Sequence, residues 1–106
     1  MGKYLVQANY VGDGVKGLLV EGGSRRRDAA RASVESVGGT LDEMYYAFGE
    51  TDVYGIGDFP DDASATAWSL MVNASGLLTA TITPLMTPED LDAAAAKSPS
   101  YRAPGT

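Results

Sequence analysis

The stretch TLDEMYYAFGETDVYGIGDF, residues 40–59, carries aromatic and β-branched residues on both sides of Gly49-Glu50-Thr51. It predicts two strands, residues 40–48 and 52–59, separated by so short a connection that they form a hairpin. Upstream, residues 3–10 (KYLVQANY) predict another strand, stopped by Gly12-Asp13-Gly14. Between that strand and the hairpin, Val15, Leu18 and Leu19 lie at helical spacing and Gly22-Gly23 interrupts. Ser24 is then placed to cap a second segment carrying Ala29, Ala30, Ser33, Val34 and Val37. The expectation is one helix in two pieces, or a bent one, ended by Gly38-Gly39.

Downstream of the hairpin, Pro60-Asp61-Asp62 starts a helix with Asp61 as cap and an apolar stripe of Ala63, Ala67, Leu70, Met71 and Ala74, up to Gly76. Residues 77–85 (LLTATITPL) alternate large apolar residues with Thr and predict a half-buried strand. Thr87-Pro88-Glu89-Asp90 has the form of a helix start, predicting a short helix over residues 89–97. Residues 98–106 hold two Pro and one Gly and are expected to form an arm or a disordered tail. The organisation is therefore one domain, residues 1–97, and a tail.

The order β-α-β-β-α-β is the split βαβ pattern of the ferredoxin-like fold, an α+β fold with both helices on one face of a four-stranded antiparallel sheet. Residues 53–57, Val-Tyr-Gly-Ile-Gly, carry no charge on either parity, although a sheet with one wet face alternates. The second face is thus expected to be buried as well. The economical cover is a second copy of the chain, packed sheet to sheet in a symmetric homodimer.

Composition narrows the chemistry. The 106 residues include no Cys and no His, which excludes a disulfide framework, a thiolate nucleophile and imidazole as base or metal ligand. No cofactor is expected. The net charge is −6, and every Lys and Arg lies at or before Arg31 or at or after Lys97. That balance argues against nucleic acid as a partner, because phosphates call for a basic surface. With no secretory h-region and no long apolar run, the expectation is a cytoplasmic protein that does not enter a membrane. Arg25, Arg26, Arg27 and Arg31 read two ways: as a holder of phosphate or carboxylate or a contact for another protein, or as a solvated helix face beside Asp28 and Glu35. The second reading is the commoner arrangement.

Several local strings taken together resemble a known family: Gly14-Val15 after the first strand, the Arg-rich residues 24–31, Gly38-Gly39, Tyr45-Tyr46-Ala47-Phe48-Gly49, Asp52 and Pro60-Asp61-Asp62. In this order and spacing they are similar to the GYD-domain family of small bacterial proteins, within the dimeric α/β-barrel superfamily. The resemblance covers residues 3–88. In the motif of that family, Gly-x-Tyr-Asp, Gly49 and Asp52 match, while Thr51 stands where the family has Tyr. The resemblance implies the ferredoxin-like fold and a dimer. It implies no single activity, since the superfamily holds cofactor-free monooxygenases, isomerases, cyclases, haem enzymes and plain binding domains.

Candidate site residues follow from the cleft between sheet and helices, where superfamily enzymes bind substrate. Gln7 and Asn9 share one face of the first strand, and Trp68 and Asn73 stand on the second long helix. With Tyr45 they form a polar and aromatic set resembling one that orients an electron-rich ring and stabilises an oxyanion. In the alternative, Trp68 fills the core and the amides pair with backbone. Asp52 enters a strand expected to be central, as a proton-transfer candidate or as a brace for the turn. Asn9 and Asp52 are the candidate catalytic pair; Gln7, Tyr45, Trp68 and Asn73 are candidate substrate contacts. Gly12-Asp13-Gly14-Val15-Lys16-Gly17 fits G-x-G-x-x-G, but the chain is too short for the parallel sheet that a dinucleotide site requires. Asp58, Asp61 and Asp62 lack the loop spacing of a calcium site, so no metal is expected. Two functions stay open: binding of a small apolar or aromatic molecule without catalysis, and a cofactor-independent monooxygenase or isomerase acting on a phenolic or keto compound.

Overall fold

The computed structural model describes residues 2–106; Met1, at the start of the expected domain, lies outside the described residues. Strand β1 (Gly2–Tyr10) turns Tyr4, Val6, Ala8 and Tyr10 inward, and the intervening Lys3, Leu5, Gln7 and Asn9 fall on the other face by the two-residue period of a strand. Two helices follow, α1 (Asp13–Glu21) and α2 (Gly23–Glu35), parted at Gly22, whose φ of 83° favours glycine. Ser24 does not cap the second helix. The cap lies two residues earlier, at Gly22, and no side chain bonds there.

The hairpin forms from β2 (Thr40–Tyr46) and β3 (Val53–Phe59), both shorter than their sequence suggests. The chain leaves the ladder at Ala47, whose N–H donates to the carbonyl of Asp52 at 2.8 Å and closes the loop. Helix α3 (Asp62–Ala74) is capped by Asp61, whose carboxylate accepts from the Ser64 N–H at 2.7 Å. Strand β4 (Leu78–Pro84) and helix α4 (Pro88–Ala95) complete the chain, the latter opened by a Thr87/Asp90 capping box. The four strands lie in the order β2-β3-β1-β4, every pair antiparallel. This is the ferredoxin-like arrangement, with α2 and α3 on one face of the sheet.

The core is an aromatic chain. Tyr4 and Phe59 meet edge to face with centroids 5.4 Å apart, and Phe59 leads to Trp68 at 6.1 Å. The Tyr4 hydroxyl donates to Asp62 at the start of α3, and the Trp68 indole N–H donates to Ser33 Oγ at 2.8 Å, tying α3 to α2. The buried stripe of α3 is Ala65, Trp68 and Val72. The stripe expected from sequence has the right period but the wrong phase: Leu70 and Met71 are exposed, with Ala63, Ala67 and Ala74 beside them. Trp68, larger than any of these and joined to Ser33, sets which side of the helix turns inward.

Strand β2 carries a bulge between Leu41 and Glu43, so that Asp42 is extra to the ladder. The bulge resets the alternation: Leu41 and Met44 pack into the core, while Tyr45 pairs with Tyr54 on the far face. Asp42 thereby reaches Lys3 Nζ at 2.8 Å. Helix α4 and residues 96–106 are exposed throughout, and the chain measures 57 Å along its longest axis.

Candidate functional site

Between the sheet and helices α2 and α3 lies a cavity of about 230 Å³. Small residues at its floor and side, Ala8, Gly55 and Ala30, leave the space open; Val6, Val34, Met44, Val53, Trp68, Val72 and Leu78 make its walls apolar. Its polar lining residues are Tyr10 and Arg26, which neighbour each other, and Ser75. For scale, a dry apolar cavity of about 150 Å³ takes up benzene. This cavity therefore has the volume for a substituted single ring or a compact bicyclic molecule.

Arg26 is the charged group of the site. Its Nη1 donates to Glu21 Oε2 at 3.2 Å, and its Nε is buried with no hydrogen-bond partner among the described residues. Burial opposes its charge, but the Tyr10 hydroxyl and Glu21 more than offset this and raise its pKa. Tyr46 belongs to the same cluster. Burial, with the Tyr10 hydroxyl adding to it, pushes the Tyr46 phenol up to about 12, so it stays protonated at neutral pH; Arg26 and Arg27 act weakly in the opposite sense. The Tyr46 hydroxyl donates to the Gly23 carbonyl at 3.1 Å and fixes the end of β2 to the start of α2. A wider hollow of about 550 Å³ adjoins on the other side of Tyr10, lined by Leu18, Leu19, Tyr46, Phe48 and Asp52 among others.

The candidate residues do not converge. Trp68 alone lines the cavity. Gln7 and Asn9 sit on the sheet face turned away from the helices, because the inward parity of β1 is that of Tyr4, Val6, Ala8 and Tyr10. Tyr45 lies on that far face too, its hydroxyl 3.3 Å from Glu43. Without the bulge at Asp42, Tyr45 shares the parity of Leu41 and turns inward, as the sequence suggests; the bulge reverses it. Asn73 holds backbone: its amide nitrogen donates to the carbonyl of Ala80 at 3.0 Å and its oxygen accepts from the Ala80 N–H at 2.9 Å. It thus occupies one pair of peptide groups on edge strand β4.

Asn9 and Asp52 do meet, but each holds the other's strand. Asn9 Oδ1 accepts from the Asp52 N–H at 2.8 Å, and Asp52 Oδ2 accepts from the Tyr10 N–H at 3.0 Å. The G-x-G-x-x-G stretch has a packing role. A Cβ on Gly14 would lie 1.9 Å from the Leu77 carbonyl oxygen, so glycine lets α1 approach the loop before β4. The aspartates of residues 58–62 are likewise employed: Asp61 caps α3, Asp62 accepts from Tyr4, and Asp58 lies 3.6 Å from Lys3.

Tyr10 and Met44 are absent from the candidates read from sequence, and Arg26 enters them only as one of the Arg25–Arg31 cluster, for which the solvated helix face is the commoner reading. For Arg26 the signal is present, since Arg26, Ala30, Val34 and Val37 share one helical stripe and only the first is charged. Arg27 and Arg31 behave as the solvated face predicts, pairing with Asp28 at 3.4 and 3.7 Å.

No helix among the described residues is long and apolar enough to cross a membrane. No curated protein and no solved structure matches the chain. The family model of the GYD domain matches residues 4–95, which span all four strands of the sheet and the four helices. On that match, carried over nearly the whole of the folded chain, the protein belongs to the GYD domain family.

Proposed function

We propose that the chain is a homodimeric binding domain that takes a small apolar or aromatic molecule into the cavity between its sheet and its helices. The observation that carries this reading is the cavity itself: about 230 Å³, walled by Met44, Val53, Trp68, Val72 and Leu78, with Tyr10, Arg26 and Ser75 as its few polar residues. Pockets for small molecules have this character, a dry wall with a few placed polar groups.

Support for the homodimer comes from the sheet face opposite the helices. Leu5 and Ile56 are register partners there, flanked by Tyr45 and Tyr54, and the row Thr79, Thr81 and Thr83 extends the face across β4. Its charges are few: Lys3 lies 3.6 Å from Asp58 at one end, and Glu43, on edge strand β2, stands opposite Ile56 with the Tyr45 hydroxyl 3.3 Å away. A face with so much apolar and neutral surface, uncovered within the described chain, suits a second copy related by a twofold axis.

Catalysis of the oxygenase or isomerase kind is the second reading, and Tyr10 and Arg26, neighbours that both border the cavity, are what favour it. A protonated phenol beside a guanidinium can hold a developing oxyanion. Native mass spectrometry of the purified protein at low micromolar concentration tests the main reading. A dimer that keeps a small molecule supports it. A monomer removes the homodimer, and a dimer that neither retains a molecule nor takes up added 2-naphthylmethanol removes the binding function.

A further inference from the structure

We propose that the molecule held in this cavity is a small aromatic or branched apolar anion, a carboxylate or a phenolate, whose charged oxygen is received by Arg26. The inference rests on the binding reading above and specifies its ligand.

The reasoning starts from where the charge lies. Apart from Arg26, the cavity is walled by aliphatic and aromatic side chains with Ser75 and the Tyr10 hydroxyl as the other polar groups. A guanidinium bordering such a space is costly unless its donors are taken up. Nη1 is engaged by Glu21, 3.2 Å away, yet Nε is buried and has no acceptor among the described residues. Arg26 is the cationic side chain in a lining that is otherwise mostly apolar and carries no acid, with the Tyr10 hydroxyl beside it, and a positive charge so placed points to a guest that brings a negative one. An anionic oxygen is the acceptor that fits best. Guanidinium donates charge-assisted bonds to carboxylate and phenolate in a planar geometry, and the low dielectric of the apolar walls strengthens the attraction. Tyr10 adds a second donor on the same side. Glu21, the last residue of α1, holds the guanidinium through Nη1 and is not among the residues lining the cavity. The volume limits the rest of the ligand to roughly one or two rings, by comparison with the benzene-sized cavity cited above.

The test compares 2-naphthoate with its neutral counterpart 2-naphthylmethanol, both titrated into the intact protein by calorimetry and by nitrogen-resolved NMR at neutral pH. The expected result is that the carboxylate binds at least about tenfold more tightly and moves the Arg26 Nε–H resonance, with Trp68 indole shifts from both probes. In Arg26→Gln the preference falls to within about twofold while the alcohol still binds, and Arg26→Lys, which keeps the charge but not the planar fork, retains part of it. Equal binding of the two probes to the wild-type protein overturns the anion inference and leaves the cavity reading standing. A preference that survives in Arg26→Gln overturns it as well. Failure of both probes to bind removes the cavity reading itself.

Discussion

Asn9 and Asp52 continue the β1–β3 ladder one step past its last backbone pair, Ala8 with Val53, by each bonding to the other strand's main chain: Asp52 N–H to Asn9 Oδ1 at 2.8 Å, and Tyr10 N–H to Asp52 Oδ2 at 3.0 Å. The Asp52 carbonyl meanwhile accepts from Ala47 at 2.8 Å. The Asp of the family motif therefore closes the hairpin loop and holds β1 against it. Because Tyr10 borders the cavity, this knot also fixes the position of the phenol beside Arg26.

Replacing either member removes one hydrogen bond to a partly buried peptide group. Asn9→Ala and Asp52→Ala should each lower stability by about 1 kcal/mol, with urea denaturation as the measurement. Asp52→Asn keeps an oxygen acceptor and should be nearly neutral. If Asp52→Asn instead abolishes a measurable turnover while the urea midpoint stays put, the carboxylate has a chemical role and the enzyme reading gains.

Ser33 and Trp68 provide a second pair. Ser33→Ala leaves the buried indole N–H without its acceptor and should cost about 1–3 kcal/mol, whereas Trp68→Phe removes the donor. In the double variant the Ser33 change should cost less than it does alone, giving a coupling of about 1 kcal/mol in a double-mutant cycle. Additivity within error would show that the bond contributes little.

Two glycines of α1 should respond in opposite directions. Gly14→Ala places a methyl against the Leu77 carbonyl, where a Cβ would lie 1.9 Å away, and should destabilise by about 1–3 kcal/mol. Gly17 has nothing within 4 Å of its Cβ position, so Gly17→Ala should stabilise by about 0.5–1 kcal/mol through helix propensity alone. Thermal unfolding of the two variants distinguishes packing from a phosphate-binding role, in which both glycines serve a ligand.

The α3 cap makes a pH-dependent contribution. Hydrogen bonds from the Ser64 backbone and side chain hold the Asp61 pKa below its ordinary 3.8. A depressed carboxylate pKa stabilises the fold above the unfolded value, and that stabilisation disappears as pH falls through the folded value. Asp61→Ala should therefore unfold at a lower temperature than wild type at neutral pH, the gap narrowing below about pH 3.8. A gap that is constant down to strong acid assigns the effect to something other than the ionised cap.

A second acid placed in the middle of the open sheet face should split the homodimer proposed above. Ile56→Glu puts a carboxylate among Leu5, Tyr45 and Tyr54 and opposite Glu43, and light scattering after gel filtration should then report a monomer where the wild-type protein is expected as a dimer. An unchanged dimeric mass for Ile56→Glu places the contact between copies elsewhere on the molecule.

Much of this was legible before any coordinates. The Gly and Pro punctuation, the strand-like run of residues 40–59 and the caps at Asp61 and Thr87 carry their information locally, within one or two turns of chain, and they yield the element order, the α+β class and the family resemblance. Faces were harder to read. The apolar residues of α3 are spread around the helix, so the stripe read from periodicity, Ala63, Ala67, Leu70, Met71 and Ala74, has the wrong phase, and Trp68, bonded to Ser33 in another helix, faces inward instead. In β2 a single extra residue, Asp42, sends Tyr45 away from the cavity; the bulge is an agreement between two strands and has no strong signature in either.

The sequence by itself determined which segments become strands and helices and in what order, because those choices are made by near neighbours. Only the tertiary structure decided that Asn9, Asp52 and Asn73 spend their polar atoms on backbone, and that Arg26 leaves the charged surface of its helix to border an apolar cavity. Those outcomes depend on residues 7 to 43 positions apart, or in separate layers, being brought within hydrogen-bond reach, and a linear pattern does not contain that distance.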